Sequence, residues 1–427
     1  MYHNTQNDIR TMINKNTLQE VIDDQREDMA DVEVMPRDVE FEENGNYVFV
    51  GLRRAGKSYL LFQRIQQLMA QGLGWNGIEY VNFEDERLRE MTADDLNLVL
   101  EVHYSRYDTK PVMFLDEIQV VPGWERFVRR LADSHYRVYV TGSNSTMLSE
   151  EIYSTLGGRF LVQEVYPYSF AEYLRANGVK GAGGTRQKGE VRRTFAGYLS
   201  YGGLPEVCLF KQKRSWLQGL YQKVFLNDMV ARNKIRNAGA ASLMLKKLAE
   251  STGQPLSYTR IAGVVSAAGN KTETRSIIDY VGYAEASWLI LPVSNYAAKL
   301  AQKESNRKYY FIDNGLLNLF LISGEAALLE NMVAVELHRR YGREAVYYYQ
   351  QGIEMDFYVP DEGLAVQVCR TLAEVGTTER ELEPFARFAG FLHPRRMLII
   401  TLDDEGLLTV KGQNIEVIPC WKWLVTG

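Results

Sequence analysis

Residues 51–58 read Gly-Leu-Arg-Arg-Ala-Gly-Lys-Ser, between a short apolar run, YVFV at 47–50, and YLLFQRIQQLMAQG at 59–72, whose helical periodicity stops on a glycine. This is strand, loop, helix, and the loop matches G-x-x-x-x-G-K-[ST] in full, in the context that pattern requires. Glycines let successive backbone N–H groups turn toward phosphate oxygens, and the following helix presents its positive end to them. Lys57 is expected to reach the β- and γ-phosphates and the Ser58 hydroxyl to ligate Mg²⁺. The expected nucleotide contacts are Gly51, Arg53, Arg54, Ala55, Gly56, Lys57, Ser58 and Tyr59, with ATP and Mg²⁺ as ligands. Arg53 and Arg54 have two readings, a phosphate-related role or a loop tip facing solvent.

Such a site needs an acid at the end of a neighbouring strand. Val112-Met113-Phe114-Leu115-Asp116-Glu117 supplies one, with Asp116 expected in the Mg²⁺ shell and Glu117 expected to polarise the attacking water. Thr141-Gly142-Ser143-Asn144 ends the next apolar run, where Ser143 or Asn144 is expected to sense the γ-phosphate or else to cap a turn. Arg159, in LGGRF, reads either as an arginine finger, in cis or from a neighbouring subunit, or as a surface arginine.

Working outward, IEYVNF at 78–83, PVMFLDE at 111–117 and YRVYVTGS at 136–143 are short apolar runs separated by helical or polar sequence, the pattern of buried parallel strands. An α/β core is expected over 46–175, after an acidic lead-in at 1–45 with a short helix. The glycine- and lysine-rich stretch 178–190 reads as a loop, and 176–225 as a helical linker region. Over 226–307 the order is a short helix, a turn near Gly269 and Asn270, a second helix capped by Thr272, and a strand, the outline of a winged helix-turn-helix. From 308 to 427 strand-like runs such as YYFI, AVYYYQ, MDFYV, LAVQV and MLIITL alternate with helical pieces, giving a second α/β domain.

The 427 residues are 46% hydrophobic and 24% charged, the composition of a folded chain and not of a disordered one. Cys208, Cys369 and Cys420 lie far apart without metal-ligand spacing. The start lacks the layout of a signal peptide and no apolar run nears the ~18 residues of a membrane span, so a soluble cytoplasmic protein is expected. Net charge is −5, unevenly spread: residues 175–310 hold 22 Lys and Arg against 8 Asp and Glu. Such a basic segment is the footprint of a phosphate-backbone binder, or else a solvated face opposite acidic neighbours.

GLRRAGKSYLL, VNFEDERL, FLDEIQ, VTGSNSTML, LGGRF, YPYSFAEYL and YGGLPE fall in one order that resembles the bacterial and archaeal AAA-type ATPases, related to STAND NTPases, that carry a C-terminal domain of unknown function. The resemblance covers almost the whole chain. It implies an AAA-type core, a winged-helix module, and a last domain similar to the restriction-endonuclease fold. Nuclease chemistry of that kind needs D…(D/E)-x-K around a metal. Here Glu330 and Glu336 lie on a predicted helix, Glu336 is the one expected in the degenerate site, and Asp356 matches the metal acid, but Gln367 and Cys369 stand where the second acid and the lysine belong. Losing an anion and an ammonium removes metal affinity and water activation, so no nucleic-acid cleavage is expected.

The expected role is a nucleotide-driven switch or remodeller whose C-terminal domain docks a protein partner. The alternative is a DNA-dependent ATPase, or an ATP-dependent nuclease whose lysine comes from elsewhere. On the DNA reading, Thr272, Thr274 and Arg275 face the major groove while Lys271, Lys299, Lys303, Arg307 and Lys308 contact phosphates; on the other, the module packs against protein. A small-molecule kinase is disfavoured, since no lid motif follows the loop. The oligomeric state is not encoded in any motif.

Overall fold

In the computed structural model, residues 13–143, 147, 150–180, 183–373 and 377–426 are described. The chain divides into two compact units, one of residues 1–51 and 56–165, the other of residues 52–55 and 166–427.

In the first unit, β1 (Asn46–Val50), β2 (Ile78–Asn82), β3 (Val112–Asp116), β4 (Val138–Gly142) and β5 (Phe160–Glu164) form a parallel sheet in the order β2-β3-β4-β1-β5. The apolar runs at 47–50, 78–83, 111–117 and 136–143 are its first four strands, three of them inner and β2 at one edge. Their residues are buried almost throughout, as expected where helices cover both faces. Register pairs Val50 with Gly142 and Leu115 with Val140, so β1, β3 and β4 end on one edge of the sheet. Ligand sites of open parallel sheets form beyond such carboxyl edges. The fifth strand has only the short run Phe160-Leu161-Val162 to announce it, and its outer residues Leu161 and Val162 are exposed.

The lead-in helix, Lys15–Ala30, is longer than expected and belongs to this unit. It buries Leu18, Val21, Ile22 and Met29, and its Arg26 Nη2 lies 3.0 Å from Glu79 of β2.

In the second unit, β6 (Leu256–Ser257), β7 (Ile290–Asn295), β8 (Asn306–Phe311), β9 (Tyr347–Gln350), β10 (Glu354–Val359), β11 (Leu364–Val368), β12 (Arg396–Thr401), β13 (Gly406–Val410) and β14 (Gln413–Pro419) form a mixed sheet in the order β13-β14-β12-β11-β10-β9-β7-β8-β6. Helices Ala238–Glu250, Tyr258–Ala267 and Thr274–Ala286 precede the antiparallel pair β7–β8, and β7 continues in parallel onto β9 through Ser294 and Asn295. The expected boundary at 307/308 therefore falls inside β8. The second of these helices ends before a turn at Gly269, as expected, but the third begins at Thr274 and has no side-chain cap. Thr272 is not that cap; its N–H donates to Ser266 Oγ at 3.1 Å. The stretch expected as a loop to 190 turns helical at Thr185.

Two of the motif segments have structural roles here. Ser169 and Glu172 of SFAEYL form a reciprocal capping box at the start of helix Phe170–Ala176. In YGGLPE, Gly202 has φ 74°, and a Cβ there would lie 2.0 Å from Asp313 Oδ1. The Gly203 N–H donates to Asp313 Oδ2 at 2.7 Å, so only glycine lets the chain pass this buried carboxylate.

Candidate functional site

The loop after β1 is shaped by close approach. Val165 N–H donates to Val50 O at 2.7 Å, and a Cβ on Gly51 would lie 2.3 Å from Val165 O. Arg54 at φ 63° and Gly56 at φ 100° both take left-handed backbone, which turns the chain abruptly into helix Lys57–Ala70. No side chain caps that helix, and a helix start of this kind favours anions.

Inside the turn Lys57 is buried. Its Nζ donates to Gly51 O at 3.3 Å and lies 3.4 Å from Glu117 Oε1. The Ser58 hydroxyl donates to Asp116, which is fully buried at the end of β3. Asp116 Oδ2 accepts from Tyr80 Oη at 2.9 Å, and its Oδ1 accepts from Thr141 Oγ1. Thr141 Oγ1 also accepts from the Glu117 N–H at 2.8 Å, while Gln119 Nε2 donates to Glu117 Oε2 at 2.5 Å. Glu117 itself stands at φ 50°, a strained conformation for a non-glycine residue and one that swings its carboxylate back toward Lys57. Burial, and then the charge of Glu117, push the Asp116 pKa up, against the hydrogen bonds that oppose the shift. Glu117 meets the Lys57 ammonium while hydroxyl groups surround Asp116, and a divalent cation would offset the charge of the two adjacent acids.

Lys57, Ser58, Asp116 and Glu117 are thus brought together. Ser143 is buried near the end of β4, and its Oγ has no hydrogen-bond partner among the described residues. Asn144 lies outside the described residues. Tyr59 is half exposed on the first turn of the helix. Arg159 is not gathered here: it precedes β5, opposite the start of β1, and its Nε lies 2.6 Å from Asp133 Oδ1. β1 and β5 run in parallel, so Arg159 sits at the sheet edge away from the loop. Residues 52–55 group with the second unit. There Arg53 Nε is 3.2 Å from Asp228 Oδ2, and Arg54 Nη1 is 2.6 Å from Glu206 Oε2. Tyr80, Thr141 and Gln119 support the acids without any motif of their own; Tyr80 opposes Phe114 in register and so shares a face with Asp116 two residues on.

The C-terminal set is rearranged. Glu336 is committed to Arg339 Nε at 3.0 Å and Arg340 Nε at 2.7 Å. It is Glu330, six residues earlier on helix Glu325–Tyr341, that comes near the Asp356 region. Six helical residues turn about 600°, so the two glutamates point some 120° apart. Gln367 Oε1 accepts from the Asp356 backbone N–H at 2.7 Å, and Cys369 packs in an apolar cluster with Tyr349, Met355, Phe385 and Phe388. Lys308, expected on DNA phosphates, is wholly buried and faces carboxylates instead, which removes it from any docking surface. Lys271, Arg275 and Lys299 are exposed as that reading requires. Among the described residues no helix is long and apolar enough to cross a membrane.

A family model described as an AAA domain matches residues 43–174, and one described as a domain of unknown function, DUF8612, matches 192–326. The chain is 34% identical over 438 aligned positions to the uncharacterized protein MJ1544 of Methanocaldococcus jannaschii, spanning 98% of this chain and 97% of that one. It is 30% identical to an uncharacterized protein of Haemophilus influenzae, over 77% of this chain and 83% of that one. Among solved structures it is similar to the Aeropyrum pernix Orc1 protein in complex with DNA, at 15% identity over 75% of this chain and 92% of that one. The TM-score of 0.30 is too low to carry an argument.

Proposed function

We propose, from the premise that this chain belongs to the AAA-type P-loop ATPases and to the family of MJ1544, that it binds ATP with Mg²⁺ at residues 51–58 and hydrolyses it to drive a conformational switch. The observation that carries this reading is the convergence of Lys57 Nζ, the Ser58 hydroxyl and the Asp116–Glu117 pair at the mouth of an uncapped helix.

The donor set fits a magnesium nucleotide. Ser58 and Asp116 offer hard oxygens that would hold Mg²⁺, which when bound would supply positive charge to offset that of the phosphates. Loop amides and the Lys57 ammonium then hold the triphosphate. In the structure Lys57 is balanced by Glu117, so phosphate taking over the ammonium would release Glu117 to accept a proton from water or to orient it. Thr141 and Gln119 fix the acids. Ser143, buried and unmatched, is suited to the γ-phosphate end, and Arg159 would act only from another copy of the chain.

Calorimetry with Mg·ATP should detect binding that Lys57→Ala abolishes. Glu117→Gln should bind ATP yet turn it over at least about 100-fold more slowly; unchanged turnover would remove Glu117 from the chemistry.

The helices before β7–β8 are read as a winged-helix module, and residues beyond it as a nuclease-like domain without nuclease activity. Exposed Lys271, Arg275 and Lys299 favour a second reading of the module, as a DNA contact. ATPase stimulation by DNA, with salt-sensitive binding lost on charge reversal at Lys271 and Lys299, would support that reading; indifference to DNA would favour a protein partner.

A further inference from the structure

Lys308 is an anomaly in a sheet interior: a lysine on β8 with no exposed surface and three carboxylates around it. Its Nζ lies 3.1 Å from Glu354 Oε1, 3.7 Å from Asp356 Oδ1 and 3.9 Å from Glu330 Oε1. It also sits 5.2 Å over the Tyr348 ring. The acids are fixed in turn. Tyr310 Oη donates to Glu330 Oε1 at 2.7 Å and the Val368 N–H to Asp356 Oδ2 at 2.9 Å. Burial alone would depress the ammonium, but Asp356, Glu330 and Glu354 outweigh it and hold Lys308 above its ordinary range.

A nuclease-type divalent ion needs carboxylate oxygens at roughly 2.0–2.6 Å around an open centre. Here that centre is filled, and among the described residues no group of three His, Cys, Asp or Glu side chains is disposed to hold a metal. The residues do not fit the ion that the nuclease-like reading implies. Three carboxylates gathered around this point, with Glu330 and Asp356 largely buried and Glu354 partly exposed, would repel one another without a cation, and a divalent ion entering beside the ammonium would meet like charge.

We propose that Lys308 occupies the place of the divalent metal, a covalently tethered cation that holds Glu330, Glu354 and Asp356 together and bars Mg²⁺ and Mn²⁺ from the site. This rests on reading the domain as nuclease-like, and it explains how such a centre persists after its metal chemistry is gone. The lysine that the D…(D/E)-x-K pattern lacks at Cys369 is present, but on a different strand and in the metal's position.

The test is Mn²⁺ binding to the full chain without nucleotide, followed by electron paramagnetic resonance. The native chain should take up no Mn²⁺ that Asp356→Asn removes, whereas Lys308→Met should gain one Mn²⁺ per chain, lost again in the double variant with Asp356→Asn. Lys308→Arg, which keeps the charge, should stay blind to Mn²⁺. Asp356-dependent uptake by the native chain overturns the proposal, as does a folded Lys308→Met chain that binds none. If Lys308→Met unfolds alone, refolding with Mn²⁺ supports the assignment and failure to refold overturns it. Cleavage of DNA by the native chain would separately sink the reading of the domain as inactive, because the Mn²⁺ measurement contains no DNA.

Discussion

At Thr141 a single hydroxyl serves both acids of the site, donating to Asp116 and accepting from the Glu117 N–H. Thr141→Val keeps the shape and deletes both bonds in a fully buried place. A hydrogen bond to a charged group contributes about 1.5–3 kcal/mol. Turnover of ATP should therefore fall roughly 10- to 100-fold, while affinity for the nucleotide changes less than about threefold, because Lys57 and the loop amides are untouched; a parallel loss of affinity in calorimetry would show that Thr141 holds the loop and not the acids. Legibility at this scale followed contiguity. Lys57, Ser58, Asp116 and Glu117 are readable because each pair is adjacent in sequence and its chemistry is local. Thr141, Tyr80 and Gln119 act across strands or turns, through register and reach that no spacing encodes. Glu336 and Glu330 are indistinguishable in sequence for a related reason: both lie on the same helix, and only tertiary packing shows which face meets Asp356.

Among the elements, Val224–Ala231 is π-helical, a widened turn that places Asp228 inward. Asp228 is buried between Arg53 Nε and Arg232 Nη2, each at 3.2 Å, and its carbonyl accepts from Ser287 Oγ at 3.3 Å. Removing one partner from a buried ion pair costs about 3–5 kcal/mol, whereas an exposed pair contributes under about 1 kcal/mol. Asp228→Ala should thus lower the unfolding free energy by an amount on the order of 3 kcal/mol, read as a clearly lower urea midpoint. Arg54→Ala, whose pair with Glu206 is 42% and 36% exposed, should move it little. Equal effects from the two variants would deny that burial of Asp228 matters. Elements were legible where both faces are covered, as in β1 to β4, whose apolar runs are unbroken. β5 was not, since it leaves Leu161 and Val162 exposed, so its residues are free to be polar, and β13 carries exposed Leu407 for the same reason. That β7 and β8 share a sheet with β9 rests on two residue pairs, Ser294 with Tyr347 and Asn295 with Tyr348, which a local pattern cannot foretell.

Over the whole chain, charge and burial set how stability responds to acid, and two buried groups pull in opposite directions. Burial drives the His338 imidazole down to about 4, with its Nδ1 2.7 Å from Ala334 O. Its folded pKa lies below the unfolded value of about 6.5, so the unfolded chain takes the proton first. The stability it contributes is present above pH 6.5 and is lost as pH falls toward 4. Asp313 behaves conversely: burial pushes it up to about 6 despite the N–H donors of Gly203 and Gly315. Its folded pKa exceeds the unfolded value, so its contribution is present below about pH 4 and fades as pH rises through 6. Each effect is on the order of 3 kcal/mol at 1.36 kcal/mol per unit, and between pH 4 and 6 they nearly offset one another. Replacing one group exposes the other. For His338→Gln, the stability deficit relative to the native chain should shrink as pH falls from 6.5 to 4, because only the native chain then loses the histidine's contribution. Urea titrations at half-unit pH steps would read this difference directly, and a deficit independent of pH would mean that His338 is not held neutral by its burial.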